Sequence, residues 1–177
     1  MHTGQIIFTI GALGLLSLAI INLNTSISEN DVSLAQNRYR LEALSLINSY
    51  IEQSSSLYFD EVTTDTSLAK DLSTFSVTLQ TEPNDSGTFD DFDDYNNITR
   101  IDTGLSGVQY RVMFDVEYVR MVGGSIVPAG TRTWHKRMTV SVTDNYLGEP
   151  ILYRNFGADR VRDTLRVSFV NSYWFYN

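Results

Sequence analysis

The strongest constraint on the fold is an uncharged apolar stretch near the start of the chain, GQIIFTIGALGLLSLAIINLN at residues 4–24. As a helix, residues 6–23 would extend roughly 27 Å, close to the hydrocarbon thickness of a bilayer. No Lys or Arg precedes the stretch and no small-residue cleavage pattern follows it, which argues against a secretory signal peptide. A simple membrane anchor and a helix that also packs on other proteins both remain open.

The helical pattern continues beyond this stretch. Residues 24–61 contain no Gly or Pro and are rich in helix-forming residues, although NTSISEND at 24–31 could bend or break the helix. Two sets of apolar residues recur every three or four positions. They are Val32, Ala35, Tyr39, Ala43, Leu46 and Tyr50, and Leu34, Leu41, Leu44, Ile47 and Ile51. One set predicts contact with the chain's own domain, and the second predicts a neighbouring subunit unless the helix is buried on both sides.

The rest of the chain is acidic and without a regular pattern up to residue 107, and from residue 108 polar and apolar residues alternate. Residues 59–107 form an acidic variable connection with one strand expected near 75–81. The segments VQYRVMFDVEYVRM and TRTWHKRMTVSVTD then alternate, which predicts an antiparallel hairpin with one buried face. That face comprises Val108, Tyr110, Val112, Phe114, Val116 and Tyr118, with Trp134, Lys136, Met138, Val140 and Val142.

These patterns predict an α+β fold. A long N-terminal helix in residues 1–58, apolar in residues 1–24 and amphipathic beyond, packs on an antiparallel β-sheet in residues 108–177.

Composition narrows the function classes. A net charge of −8 argues against nucleic-acid binding, which needs a basic surface. The chain has no cysteine and only two histidines, so a disulfide framework and His-based catalysis find little support. The sequence contains no nucleophile elbow, P-loop or dinucleotide fingerprint, and we expect no enzymatic activity.

An apolar helix that continues into an amphipathic helix and then a β-rich domain resembles type IV pilins and the pseudopilins of type II secretion. The resemblance implies that a prepilin peptidase removes a basic leader, that the inner membrane holds the chain before assembly, and that assembly machinery adds it to an extracellular filament. Its partners would be copies of itself in a helical homopolymer.

The same resemblance assigns assembly roles to the start of the chain. Met1 would be the first mature residue, and the fifth position usually carries a Glu that neutralises the amine of the adjacent subunit. This chain has Gln5 there, which keeps hydrogen bonding but gives up the charge. Gly11 and Gly14 would let another helix approach closely. The expected filament-core residues are Met1, Gln5, Ile6, Phe8, Gly11, Gly14, Leu15 and Leu18.

A cluster of carboxylates in FDDFDDYNN, residues 89–97, predicts a calcium site. Calcium binds six to eight hard oxygen ligands, and four close carboxylates repel each other unless a cation balances them. The candidate ligands are Asp90, Asp91, Asp93 and Asp94. The alternative is a solvated loop that pairs with arginines of its own domain, and no other cofactor is expected. The segment also resembles a D-D-x-D-D-Y stretch of minor pilins of the mannose-sensitive haemagglutinin type.

The sequence therefore predicts a structural subunit of a type IV pilus-like filament at the cell surface. One alternative is a minor pilin or pseudopilin that primes or caps assembly, which the loss of the acidic fifth residue favours. Another is a membrane-anchored periplasmic binding domain that never polymerises.

Overall fold

The computed structural model of the 177-residue chain describes residues 3–64, 69, 71–81, 88–157 and 159–174. The chain divides into two compact units, Met1–Arg38 and Tyr39–Asn177. One helix, α1, runs from Thr3 to Ser55 and belongs to both units.

The first unit is the amino-terminal part of α1. The helix passes through residues 24–31 without the break that the Asn and Ser residues could have caused. Hydroxyl groups along it donate to carbonyl oxygens one turn earlier, as Thr9 does to Ile6 at 2.8 Å and Ser17 to Leu13 at 2.9 Å. These polar side chains are therefore satisfied within the helix and do not depend on water.

The second unit contains an antiparallel sheet and a separate hairpin. The strands are β1 (Thr99–Thr103), β2 (Gln109–Val122), β3 (Ser125–Pro128), β4 (His135–Asp144), β5 (Tyr153–Phe156), β6 (Asp159–Arg162) and β7 (Leu165–Ser172). The sheet has the order β1-β2-β4-β7, with β3 paired to the end of β2, and the hairpin consists of β5 and β6. Short 3-10 turns are Glu61–Thr63, Leu72–Thr74 and Asp93–Tyr95.

The two long alternating segments were predicted to pair in antiparallel orientation, and the pairing of β2 with β4 confirms this. Their register places Tyr118 opposite Lys136 and Phe114 opposite Val140. A two-residue turn at Gly123 and Gly124 joins β2 to β3, and both residues have positive φ, which glycine adopts without steric cost.

The core lies between the carboxyl-terminal part of α1 and the apolar face of the sheet. From α1, Ala43, Ile47 and Tyr50 are buried, with a spacing of three or four residues. The sheet contributes alternate residues of β2 and β4, as the alternation predicts. The α+β arrangement of a long N-terminal helix packed on an antiparallel sheet is therefore confirmed.

Three details differ from the sequence-based expectations. The buried face of α1 contains residues of both apolar sets. Ala43 and Tyr50 belong to the first set and Ile47 to the second, whereas Leu41 and Leu44 of the second set are exposed. The expected strand at 75–81 is absent from this described segment, which is irregular. The strand β1 lies inside residues 59–107, so the sheet begins earlier than predicted.

Candidate functional site

A lysine occupies the buried face of β4. The alternation of the strand places Lys136 on the same face as Met138, Val140 and Val142, and all four side chains are buried. Lysine is almost never fully buried without a partner of opposite charge. The apolar layer must therefore also hold acidic groups.

Three acceptors surround the ammonium group of Lys136. Its Nζ atom donates to the carbonyl oxygen of Phe59 at 2.7 Å, to Oδ2 of Asp60 at 2.8 Å and to Oδ1 of Asp93. An ammonium group has three donor hydrogens, so this geometry satisfies all of them. Asp60 and Asp93 are as fully buried as the lysine, and both ion pairs are shielded from water. We call Lys136, Asp60 and Asp93 the buried lysine cluster.

Aromatic rings flank the cluster. The Nζ atom lies 4.6 Å from the ring centre of Phe59 and 5.5 Å from that of Tyr118. The hydroxyl group of Tyr118 donates to the carbonyl oxygen of Ser76 at 2.8 Å. Burial raises the pKa of Tyr118, and the charges of Asp60 and Asp93 raise it further. Tyr118 therefore stays neutral and acts as a donor.

The carboxylate of Asp60 is fixed by several donors. Its Oδ2 atom accepts a hydrogen bond from the backbone N–H of Ser76 at 3.1 Å, and its Oδ1 atom accepts one from the Ser76 hydroxyl at 3.2 Å. It also caps the turn Glu61–Thr63 through the backbone N–H of Val62. Hydrogen bonds of this kind hold the carboxylate in one orientation.

The acidic segment around Asp93 folds back on itself. Oδ1 of Asp91 accepts hydrogen bonds from the backbone N–H groups of Asp93 and Asp94, at 2.9 and 3.1 Å. Oδ2 of Asp94 accepts from the N–H groups of Asp90 and Asp91, at 2.9 and 3.2 Å. Asp91, Asp93 and Asp94 are fully buried and Asp90 is partly buried. These carboxyl groups therefore hold the turn that brings Asp93 to the lysine.

Burial changes the acidity of two of these groups. The pKa of Asp91 is raised to about 8, first by burial and then by the charge of Asp93, while Lys136 opposes the shift. Burial also raises the pKa of Asp93 to about 6, again opposed by Lys136. The acidic groups of the segment outnumber the single lysine, and protonation of Asp91 near neutral pH reduces their mutual repulsion.

The segment is not the solvated loop of the alternative, because Asp91, Asp93 and Asp94 are buried and Asp93 forms its ion pair with Lys136. The Oδ2 atoms of Asp91 and Asp93 accept no hydrogen bond from the residues that the structure describes. Within those residues, no group of three or more acidic or histidine side chains has metal-binding geometry. Calcium binding by Asp90, Asp91, Asp93 and Asp94 stays a prediction.

Of the buried lysine cluster, only Asp93 was predicted as a site residue from the sequence, and Lys136 and Asp60 were not. In the sequence, Lys136 interrupts an apolar face between Trp134 and Met138. A single charged residue at such a position indicates that a buried partner of opposite charge is present. Asp60 gives no such signal, since it is one acid among many in residues 59–97.

The predicted assembly residues from Gln5 to Leu18 lie in α1. Every one from Gln5 to Leu18 is exposed, and Ile6, Phe8, Leu15 and Leu18 are between 54% and 78% exposed. Beyond the glycine's own neighbours in the helix, an added Cβ atom at Gly11 or Gly14 would meet no atom of the described residues within 4 Å. Met1 lies outside the described residues. The structure thus leaves the expected contact surface of the helix open.

By length and composition, α1 contains a stretch that could cross a membrane, and none of that stretch is buried. Leu34, Leu41 and Leu44, farther along the helix, are exposed as well. Comparison of the chain with protein-family models, with curated proteins and with solved structures finds no match.

Proposed function

We propose that the chain is the structural subunit of a type IV pilus-like filament. The observation that carries this proposal is the uncharged, fully exposed apolar half of a helix whose other half is built into the core of a folded domain. Exposed apolar surfaces of this extent need either lipid or another protein surface. A helix that is apolar on all sides is suited to both environments in turn.

The exposed leucines farther along α1 support a protein partner rather than lipid alone. Leu34 and Leu41 are each 66% exposed and lie seven positions apart on the helix. They lie among charged residues such as Arg38 and Glu42, in a segment too polar to remain in a bilayer. Contacts between neighbouring helices of a filament would remove these leucines from water.

A minor, priming or capping subunit is the second candidate. Gln5 favours it, because an amide cannot form the charge-assisted contact to a neighbouring amino terminus that a Glu would provide. A membrane-anchored domain that never polymerises is the third candidate. In that case the exposed leucines would have no helical partner from a second copy.

Site-directed cross-linking separates these functions, since the natural chain has no cysteine. We would introduce Leu34→Cys and Leu41→Cys singly into the full chain, expressed in its source cells, and oxidise sheared surface material. Filaments visible by negative-stain microscopy that carry the chain as their main component, with disulfide-linked dimers, are expected for a major subunit. Trace incorporation would favour a minor subunit, and recovery only as a monomer in membranes would contradict polymerisation.

The matched control is a cysteine in place of Leu105. Leu105 is also a leucine and is 98% exposed, but it lies in the connection between β1 and β2. It reports random collision under the same oxidation. Dimers that form equally from all three variants would remove the evidence for helix-to-helix contact.

A further inference from the structure

The buried lysine cluster combines an amine, a proton acceptor and a carboxyl group in a space closed to water. We propose that Nζ of Lys136 condenses with the side-chain carboxyl group of Asp93, forming an intramolecular amide that cross-links β4 to the turn Asp93–Tyr95. The two groups are in direct contact and both side chains are completely buried. This inference does not depend on the proposed filament.

Asp60 is placed to make the lysine a nucleophile. An ammonium group has no lone pair, so it must first lose a proton to an adjacent base. Oδ2 of Asp60 lies 2.8 Å from Nζ, within the range for direct proton transfer. The donors from Ser76 hold Asp60 in that position throughout.

Asp93 is the acyl partner because it is less restrained than Asp60. One of its carboxyl oxygens, Oδ2, accepts no hydrogen bond from the described residues, whereas both oxygens of Asp60 do.

The reaction balances without an oxidant or any other co-reactant. The ammonium of Lys136 passes one proton to Asp60, and the Nζ lone pair attacks Cγ of Asp93. The new N–C bond forms as one C–O bond of Asp93 breaks. The departing oxygen leaves as water with two of the three ammonium protons, one of them returned by Asp60. The third proton stays on the amide nitrogen, and Asp60 ends as a carboxylate.

The fold favours this condensation over the reverse hydrolysis. Contact within a folded core replaces a bimolecular encounter with a reaction of high effective concentration. The water released by the condensation must diffuse out of the buried cluster, and once it has left, the apolar surroundings exclude the nucleophile that hydrolysis would need. The bond would close a loop between residues 43 positions apart in a chain that has no cysteine for a disulfide.

The test is the mass of the full chain, purified in mild detergent, before and after digestion with a protease that cuts only after lysine. The chain has two lysines, Lys70 and Lys136, so an unlinked chain gives three fragments after denaturation. We expect an intact mass lower by one water molecule and only two fragments, residues 1–70 and 71–177. The cross-linked Lys136 would resist the protease.

Variants test each role. Lys136→Arg keeps a buried cation and Asp93→Ala removes the acyl group, and both should restore the full calculated mass. Asp60→Asn should leave less than a tenth of the chain cross-linked in the time the natural chain takes to react completely, because the proton acceptor is lost. Lys70→Arg is the matched control and should keep the loss of one water. Intrinsic fluorescence would establish that each variant is folded.

The mass and the digestion of the natural chain test the proposal even if a variant fails to fold. A folded natural chain with its full calculated mass and a free fragment 71–136 would overturn it. Loss of water with normal cleavage after Lys136 would place the dehydration elsewhere and also overturn it. Linkage of fragment 1–70 to fragment 71–177 would assign the bond to Asp60, against the proposal.

Discussion

Nζ of Lys136 lies 2.8 Å from Oδ2 of Asp60, and neither side chain has any exposed surface. The pair joins β4 to the capped turn that follows α1, across 76 positions of sequence. Burying two charges is costly, and the hydrogen bonds of Ser76 and Asp93 are what compensate for it here. The pair therefore fixes the irregular segment that begins at Asp60 to the sheet.

Replacement of the buried lysine should strongly destabilise the domain. Lys136→Met keeps an unbranched side chain but leaves Asp60 and Asp93 without their shared partner, and we expect a loss of about 3–5 kcal/mol. Urea unfolding of the full chain in detergent, followed by the fluorescence of the partly buried Trp134, measures this loss. The double variant Lys136→Met with Asp93→Asn should recover part of it. Equal stability of the natural chain and Lys136→Met would contradict a structural role for the cluster.

Asp91 should make stability depend on pH. Its pKa rises from 3.8 in the unfolded reference to about 8 in the fold, so the folded state binds more protons between these values. The stability contributed by this group is fully present below about pH 4, falls as the pH rises and is gone above about pH 8. Asp91→Asn should therefore stabilise the chain more at pH 8.5 than at pH 5, by about 4 kcal/mol, because each pH unit between 5 and 8 contributes about 1.4 kcal/mol.

Thermal unfolding at the two pH values measures this difference. The amide oxygen of the Asn variant can still accept the backbone hydrogen bonds that Oδ1 of Asp91 accepts. Asp115→Asn is the control for loss of one charge, because Asp115 is an exposed residue of β2. An identical effect of Asp91→Asn at both pH values would show that Asp91 does not retain its proton in the fold.

A charge in the apolar half of α1 should prevent its membrane insertion. Leu15→Lys places an ammonium group near the centre of the stretch, at a cost of about 2.5–3.5 kcal/mol for insertion and with a similar penalty in an apolar bundle. We expect the variant to shift from the membrane to the soluble or aggregated fraction on cell fractionation. Leu105→Lys, the same substitution at an exposed connection, should leave the distribution unchanged. Full membrane retention of Leu15→Lys would oppose an inserting helix.

The backbone at Asn97 should accept glycine but not a β-branched residue. Asn97 has φ of 60°, in the left-handed region, and its N–H donates to the carbonyl oxygen of Phe114 at 3.1 Å. We expect Asn97→Gly to be neutral within about 0.5 kcal/mol and Asn97→Val to cost about 1–2 kcal/mol. Chemical denaturation of both variants provides the comparison. A tolerated valine would mean that the segment before β1 can adopt another conformation.

Local patterns of sequence anticipated the elements that repeat regularly. The uncharged run and the absence of Pro predict the helix, and alternation in β2 and β4 predicts which residues are buried, including Lys136. The two apolar sets on α1 were harder to assign. Spacing alone does not show which side of a helix faces the sheet, and Ile47 joined the core while Leu41 did not.

The sequence by itself determined the apolar helix, the alternating strands and an acidic segment that needed a cation. Only the tertiary structure decided that the cation is a lysine from the sheet, that Asp60 completes the group and that the acids are buried rather than solvated. The physical reason is range. Helix and strand periodicities arise between neighbouring residues, whereas the charges of this cluster meet across 43 and 76 positions, where packing alone sets which groups are close.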